Sequence, residues 1–327
     1  MITVLKPGLL TTVQDRGRTG YRAFGMPVAG AMDGRSYALA NLLARNEPGL
    51  AALELTLAGP TLRFDAAAFV AVCGADLGAT LDGAPVANGS GFAVAAGSVL
   101  AFGSAAAGCR AYVAVHGGID VPVVLGSRST YTRARVGGHE GRLLRAGDVL
   151  RAGPASAEPE ACALPPGRVP RFGRNIALRV TLGPQDDRFD VEGLRTFLGS
   201  AYAVSNRNDR MGYQLDGAPI RHRDRADIVS DALVPGAIQV PGRGTPIVLM
   251  ADAQTTGGYA KIATVISADV PLMAQARAGD SVTFRAVSDE EAVAAARSER
   301  LLLDEVAEAL GTPRAKSVRK RTQKRLR

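Results

Sequence analysis

Short apolar, β-branched runs separated by glycine-containing turns constrain this chain more than any other feature. Leu62–Phe64, Phe69–Val72, Tyr112–Val115, Leu178–Thr181, Ile247–Met250, Thr264–Ser267 and Val282–Arg285 are each too short for a packed helix and rich in side chains that suit a pleated surface. With 38 glycines to turn the backbone, these runs predict a mainly β chain built as antiparallel sandwiches or barrels. One phrase recurs, as Arg145-Ala-Gly-Asp148-Val-Leu and Arg277-Ala-Gly-Asp280-Ser-Val-Thr-Phe284, with a relative at Ala96-Gly-Ser-Val-Leu-Ala-Phe102. Each copy reads as a turn that feeds a strand.

Helices are predicted to be few. Asp33 is placed to cap one from about Gly34 to Arg45, and a short one follows Asp190, through Glu192 to Leu198. Ser288 and Glu291 form a capping box for a third, over Asp289 to Leu310, with Gly311 and Pro313 marking its end. Its apolar row Ala292, Ala296, Leu303, Val306 and Leu310 is expected to dock on the second domain. Prolines 154, 159, 165, 166 and 170 mark a linker over residues 152–172. It separates a β-rich domain over 1–151 from a barrel domain over 173–311 that carries the terminal helix, and a basic disordered tail is expected over 312–327.

The net charge of +8 comes from the tail: Arg314 to Arg327 hold eight basic side chains and no acid, leaving 31 charges of each sign elsewhere. A neutral body lacks the basic face that phosphate neutralisation requires, so nucleic acid is not an expected partner. No apolar run approaches bilayer length, and Met1–Pro7 has no signal-peptide pattern, so no membrane association is expected. Cys73, Cys109 and Cys162 are scattered and lack metal spacing, which fits a reducing compartment and predicts a cytoplasmic protein.

The segment from Pro246 to Asp269 carries the densest candidate chemistry. Two strand-like runs enclose Asp252, Gln254, Thr255, Thr256, Gly257, Gly258, Tyr259 and Lys261, with Asp269 at the far end. Glycines expose backbone N–H groups, and Lys261 is one of only five lysines in a chain with 34 arginines. The segment therefore reads either as an anion cradle or as a hairpin whose Lys261 pairs with Asp252 to fix it. Gln14, Asp15, Arg16 and Arg18 pack two guanidinium groups among glycines, and Ser127 and Arg128 begin a hydroxyl-rich loop that runs to Arg133. Arg210 lies in a third polar turn, Asp209-Arg-Met-Gly-Tyr213. Guanidinium forks suit carboxylates and phosphates, while an internal Asp–Arg pair fixing the turn is the structural alternative at Asp15 and at Asp209–Arg210. A Walker A loop, a Rossmann glycine motif, a G-x-S-x-G elbow and clustered zinc ligands are all absent from the sequence. So is a Met-Lys-Met segment, so no covalent biotin is expected on this chain.

These motifs, in this order, resemble the KipA family, also known as allophanate hydrolase subunit 2 or the C-type subunit of the ATP-dependent 5-oxoprolinase. The resemblance runs from about Pro7 to Val287. It includes Gln14-Asp-Arg-Gly-Arg18, Gly30-Ala-Met-Asp33, Ala40-Asn41, Ala52-Leu-Glu54, Gly117-Gly-Ile-Asp120, Gly126-Ser-Arg-Ser-Thr130 and Asp209–Tyr213, besides the segment above. It implies cyclophilin-like β-barrel domains, a small amide substrate, and two kinds of partner, one of the KipI type and one of the LamB/YcsF type. It also implies ATP with Mg²⁺ at a site shared with the partner. Lys261, Arg16, Arg18 and Arg210 would clamp anions there, and Asp252 or Asp269 would hold Mg²⁺ or orient a nucleophile. A carboxyltransferase of a urea-type biotin-dependent carboxylase is the alternative, with Gln254 and the Gly257–Gly258 amides polarising the substrate carbonyl. A third reading is a non-enzymatic regulator that binds a KipI-type kinase inhibitor.

Overall fold

The computed structural model describes residues 1–154 and 159–312. The first half folds as two antiparallel sheets. One has the strand order Ile119–Asp120, Val149–Ala152, Ile2–Lys6, Thr61–Phe64, Val99–Ala101, Thr80–Leu81, Ala84–Pro85. The other runs Cys162–Ala163, Ser90–Val94, Ala68–Asp76, Ala107–Val115, Ala52–Thr56, Leu10–Gln14. Val4, Leu62 and Phe64 of the first sheet meet Leu53, Val72 and Val113 of the second in one core, so the sheets pack face to face. The second half closes a seven-stranded barrel: Asn175–Leu182, Lys261–Val265, Ala237–Gln239, Ile247–Leu249, Gly212–Asp216, Tyr202–Asn208, Ser281–Ala286. Parallel pairing of Asn175–Leu182 with Ser281–Ala286 shuts it. A two-stranded arm, Asp227–Ala232 with Thr256–Tyr259, stands outside the barrel sheet.

The chain is thus mainly β with few helices. α1 (Gly34–Leu43) is capped by Asp33, whose carboxylate accepts from the Ser36 N–H at 2.9 Å. α2 (Val191–Gly199) is capped by Asp190, and α3 (Val270–Met273) is a single turn. α4 (Asp289–Ala309) begins with the full Ser288–Glu291 capping box. Its docking differs from the sequence expectation. Val306, Ala307 and Leu310, with Leu303 beside them, pack with Tyr37, Leu39 and Leu43 of α1 in the first half. Only the start of the helix, around Ala292 and Ala296, borders barrel residues such as Thr181 and Val265. An apolar stripe identifies the face that is buried and leaves the covering element open. The proline-rich stretch also does more than connect. Cys162–Ala163 pairs with Ser90–Val94, and Leu164 is buried, which stitches this segment into the first half. The basic tail beyond Thr312 lies outside the described residues.

Both copies of the Arg-Ala-Gly-Asp phrase form the same turn. The backbone N–H of Arg145 donates to Asp148 at 2.7 Å, and that of Arg277 donates to Asp280 at 2.8 Å. Asp148 also takes a forked pair from Arg142 at 2.7 and 2.9 Å. Hydrogen bonding from Arg142 is the main cause that draws its carboxyl down to about 2. A folded value below the unfolded one, ordinarily near ~3.9, stabilises the fold above about pH 4 and ceases to do so as pH falls through about 2. In urea denaturation, Asp148→Asn should therefore be less stable than wild type at pH 6, and the difference should close between pH 4 and pH 2. A difference that stays constant over that range contradicts the assignment.

Candidate functional site

Four of the polar segments converge where the sandwich meets the barrel. The loop after Leu10–Gln14 crosses to the barrel: Arg18 N–H donates to Val28 O at 2.7 Å, and Ala29 N–H donates to Ala251 O at 3.0 Å. Gly17 makes this approach possible, since a Cβ there would lie 2.6 Å from Val28 O and the backbone has φ +86°. Met32, two residues past Gly30, inserts into the barrel core beside Tyr213, Val248 and Met250.

Behind this crossing lies a buried charge network. Arg210 forks onto Asp252 through Nε and Nη2 at 3.1 and 3.0 Å, its Nη2 also donates to Gly30 O, and its Nη1 reaches Glu54. Glu54 is fully buried and also accepts from Met32 N–H at 2.8 Å and Tyr112 O–H at 2.7 Å. Arg110, from the strand beside Glu54, bonds Tyr213 and Ala274 O. Gln275 bridges the two halves: it accepts from Cys109 and Arg110 N–H at 2.8 and 2.9 Å and donates to Asp33 at 2.6 Å. Burial opposes charge on Arg210, yet Glu54 and Asp252 outweigh it and hold the guanidinium above its usual range. Burial pushes the Asp252 carboxyl up, against the pull of Arg210. Glu54, Arg110, Tyr112, Tyr213 and Gln275 were not among the expected site residues. A Glu inside Ala52–Thr56 and an Arg inside Ala107–Val115, both otherwise buried runs, are the sequence signal for them, because a charge in such a strand requires a partner.

Several expected site residues are engaged internally. The two oxygens of Asp15 accept four donors: Gly17 N–H at 2.7 Å, and Ser127 Oγ, Ser129 Oγ and Arg128 N–H at 2.6 Å each. The Arg128 side chain turns away to Val121 O at 2.9 Å and Asp120 at 3.5 Å. Gln14 donates to Thr12 and to Thr130 O at 3.0 and 3.2 Å. Arg18 is fully buried and bonds Ser129 O, while its Nε and Nη1 meet no partner among the described residues. Burial lowers its pKa despite Asp15 and Asp252.

Lys261 has a partner that neither sequence reading named. Its Nζ pairs with Asp231 of the arm at 2.7 Å rather than with Asp252, and only 4% of its side chain is exposed. Gln185 completes the latch, donating to Asp231 at 3.1 Å and accepting from Lys261 N–H at 3.2 Å. Asp269 holds Arg179 in a fork at 2.7 and 3.0 Å. With Asp252 and Asp269 both forked to guanidinium groups, neither presents a free carboxylate to Mg²⁺. Among the described residues no group of three His, Cys, Asp or Glu side chains is placed to hold a metal ion.

Two further expected residues border a cavity of about 480 Å³ at the barrel mouth. Gln254 and Tyr259 of the Pro246–Asp269 segment line it, together with Arg207, Asn208, Asp209, Gln239 and, from the first half, Arg133. Thr256 and Gly257 lie behind Tyr259 in the arm, where Gly257 pairs with Asp231, and Thr255 O accepts from Leu233 N–H at 2.9 Å. Gly257 leaves room for the neighbouring amide, since a Cβ there would lie 2.9 Å from Gln239 Nε2. Gly258 continues the strand to Tyr259. Gln239 in turn donates to Tyr259 O at 3.3 Å. Arg207 faces Asp216 at 3.4 Å, and Asp209 is occupied by the N–H groups of Met211 and Gly212 at 2.7 and 3.2 Å. Arg133 and Gln254 are exposed and have no side-chain partner among the described residues. The mouth thus presents one unpaired cation and free amide chemistry in a space suited to a small polar molecule. Arg16 lies elsewhere, at the rim of a cavity between α1 and α4.

A family model described as carboxyltransferase domain, subdomain A and B, matches residues 24–286. The C-type subunit of 5-oxoprolinase from Escherichia coli (strain K12) is 38% identical over 307 residues, covering 94% of this chain and 98% of that protein. The protein of the same name from Haemophilus influenzae is 37% identical over 94% of this chain and 97% of its own length. The crystal structure of the K. lactis urea amidolyase superposes with a TM-score of 0.89 at 31% identity, covering 97% of this chain and 20% of that one.

Proposed function

The chain belongs to the carboxyltransferase family of subdomains A and B, and from that premise we propose that it is the C-type subunit of an ATP-dependent 5-oxoprolinase. It would act with KipI-type and LamB/YcsF-type subunits to open the 5-oxoproline ring to glutamate. Support comes from the two similarly named relatives, which this chain matches over nearly their whole length. The observation that carries the reading is the barrel-mouth cavity, where an unpaired guanidinium and free amide groups share about 480 Å³. 5-Oxoproline offers one carboxylate and one lactam. Arg133 takes the carboxylate in a charge-assisted fork. The Gln254 amide matches the lactam, accepting from its N–H and donating to its C=O, and so orients the ring for attack at the carbonyl carbon.

ATP supplies an activated phosphoryl group for the lactam oxygen, and we place its binding on the partner side, because this chain has no phosphate loop. The chain on its own is then inactive. Purified alone it should show no 5-oxoproline-dependent ATP hydrolysis, and mixing it with subunits of the two partner types should restore turnover. Turnover by the isolated chain would remove the shared site. No turnover by the full mixture would remove the oxoprolinase reading.

The likeness to urea amidolyase over 97% of the chain favours a second reading, a carboxyltransferase component acting on a small amide. Turnover that requires bicarbonate and a biotinyl protein selects it over the first.

A further inference from the structure

We propose that the groove between α1 and α4 is a second binding site, one that takes a small organic carboxylate with an apolar body. Its cavity of about 490 Å³ is separate from the barrel mouth and shares no lining residue with it. The walls follow from two helical stripes. Gly34, Tyr37, Ala38, Asn41 and Leu42 recur at the spacing of one α1 face, and Leu303 and Ala307 at that of one α4 face. The opposed surfaces are mostly apolar, so the body of a ligand held there is apolar too.

The charges at the rim fix the sign of its polar end. Asp15 reaches the cavity with its Oδ1 accepting from Gly17 N–H, Ser127 Oγ and Ser129 Oγ and its Oδ2 accepting from Arg128 N–H. Asp304 faces Arg300 at 3.5 Å. Arg16 alone of these four has no hydrogen bond or ion pair among the described residues, and its stem runs beside Gly49, where a Cβ would sit 3.5 Å from Arg16 Cδ. The site therefore presents, above an apolar interior, one exposed guanidinium with no bonded partner among the described residues. A guanidinium in that setting binds a carboxylate through paired N–H donors.

The test uses the full chain and octanoate as probe, titrated by calorimetry. Saturable one-to-one binding is expected, weakened at least about tenfold in Arg16→Ala. Octanol, which has the same body without the charge, should bind correspondingly weakly. Arg133→Ala, at the barrel mouth, should leave octanoate binding unchanged. Ala38→Phe should fill the groove and abolish binding, with the melting temperature recorded to confirm that the variant is folded. Because Arg16 is exposed and unpaired, its removal leaves the fold intact. Absence of saturable binding by wild type, equal affinity in Arg16→Ala, or loss in Arg133→Ala would each overturn the assignment. None of these outcomes depends on which reaction the barrel mouth serves.

Discussion

Arg210→Ala should lose about 3–5 kcal/mol of folding stability, the range seen when one partner of a buried ion network is removed. Two carboxylates depend on this guanidinium, Glu54 with no exposed surface and Asp252 with 3%. Truncation leaves both in a region of low polarity. Arg110 is no substitute, because its Nε lies 3.8 Å from Glu54 and its Nη1 already serves Tyr213 and Ala274 O. Arg210→Lys should recover little: one ammonium cannot fork onto Asp252 while also reaching Glu54 and Gly30 O. The origin of the loss can be isolated. If it comes from unpaired charge, adding Glu54→Gln to Arg210→Ala should restore part of the stability, since the amide at that position no longer carries a buried charge. Urea denaturation of the two single variants and the double variant gives the coupling directly. A loss below about 1 kcal/mol for Arg210→Ala would mean that the network is solvated, contrary to its burial.

Much of this scaffold was legible from local chemistry. The Ser288–Glu291 box, the Asp33 and Asp190 caps and the two Arg-Ala-Gly-Asp turns each depend on residues within a few positions of one another, so their sequence spacing carries their structure. Partners distant in the chain were not legible. Lys261 reads as a site residue because it is a rare lysine beside glycines, yet the register of Asp227–Ala232 against Thr256–Tyr259 brings Asp231 to it from 30 positions upstream. Arg210 reads as an anion clamp, and its anions prove to be Asp252 and Glu54, the latter from the other half of the molecule. The same physics that makes a guanidinium a good ligand for substrate makes it a good internal tie. Burial and register decide between the two roles, and neither is a property of a short motif. Arg133 and Arg16 stand out only after those internal partners have been assigned.

That distinction sets the largest expected effect on activity. Arg133→Ala, assayed in the reconstituted complex, should lower kcat/KM roughly 10- to 100-fold, the loss expected for one charge-assisted contact of about 1.5–3 kcal/mol. Arg133 is exposed and has no partner among the described residues, so the melting temperature should stay at the wild-type value. If the guanidinium holds the substrate carboxylate in ground and transition states alike, the change should appear mainly in KM. Gln254→Ala should behave differently. If its amide meets the lactam where charge redistributes as the ring is attacked, its removal should act more on kcat. The pattern across the pair discriminates more sharply than either value, because a general disturbance of the barrel mouth would move both parameters together and lower the melting temperature as well. Full activity in Arg133→Ala, with assembly of the complex intact, would place the substrate carboxylate elsewhere and withdraw the barrel mouth as the site.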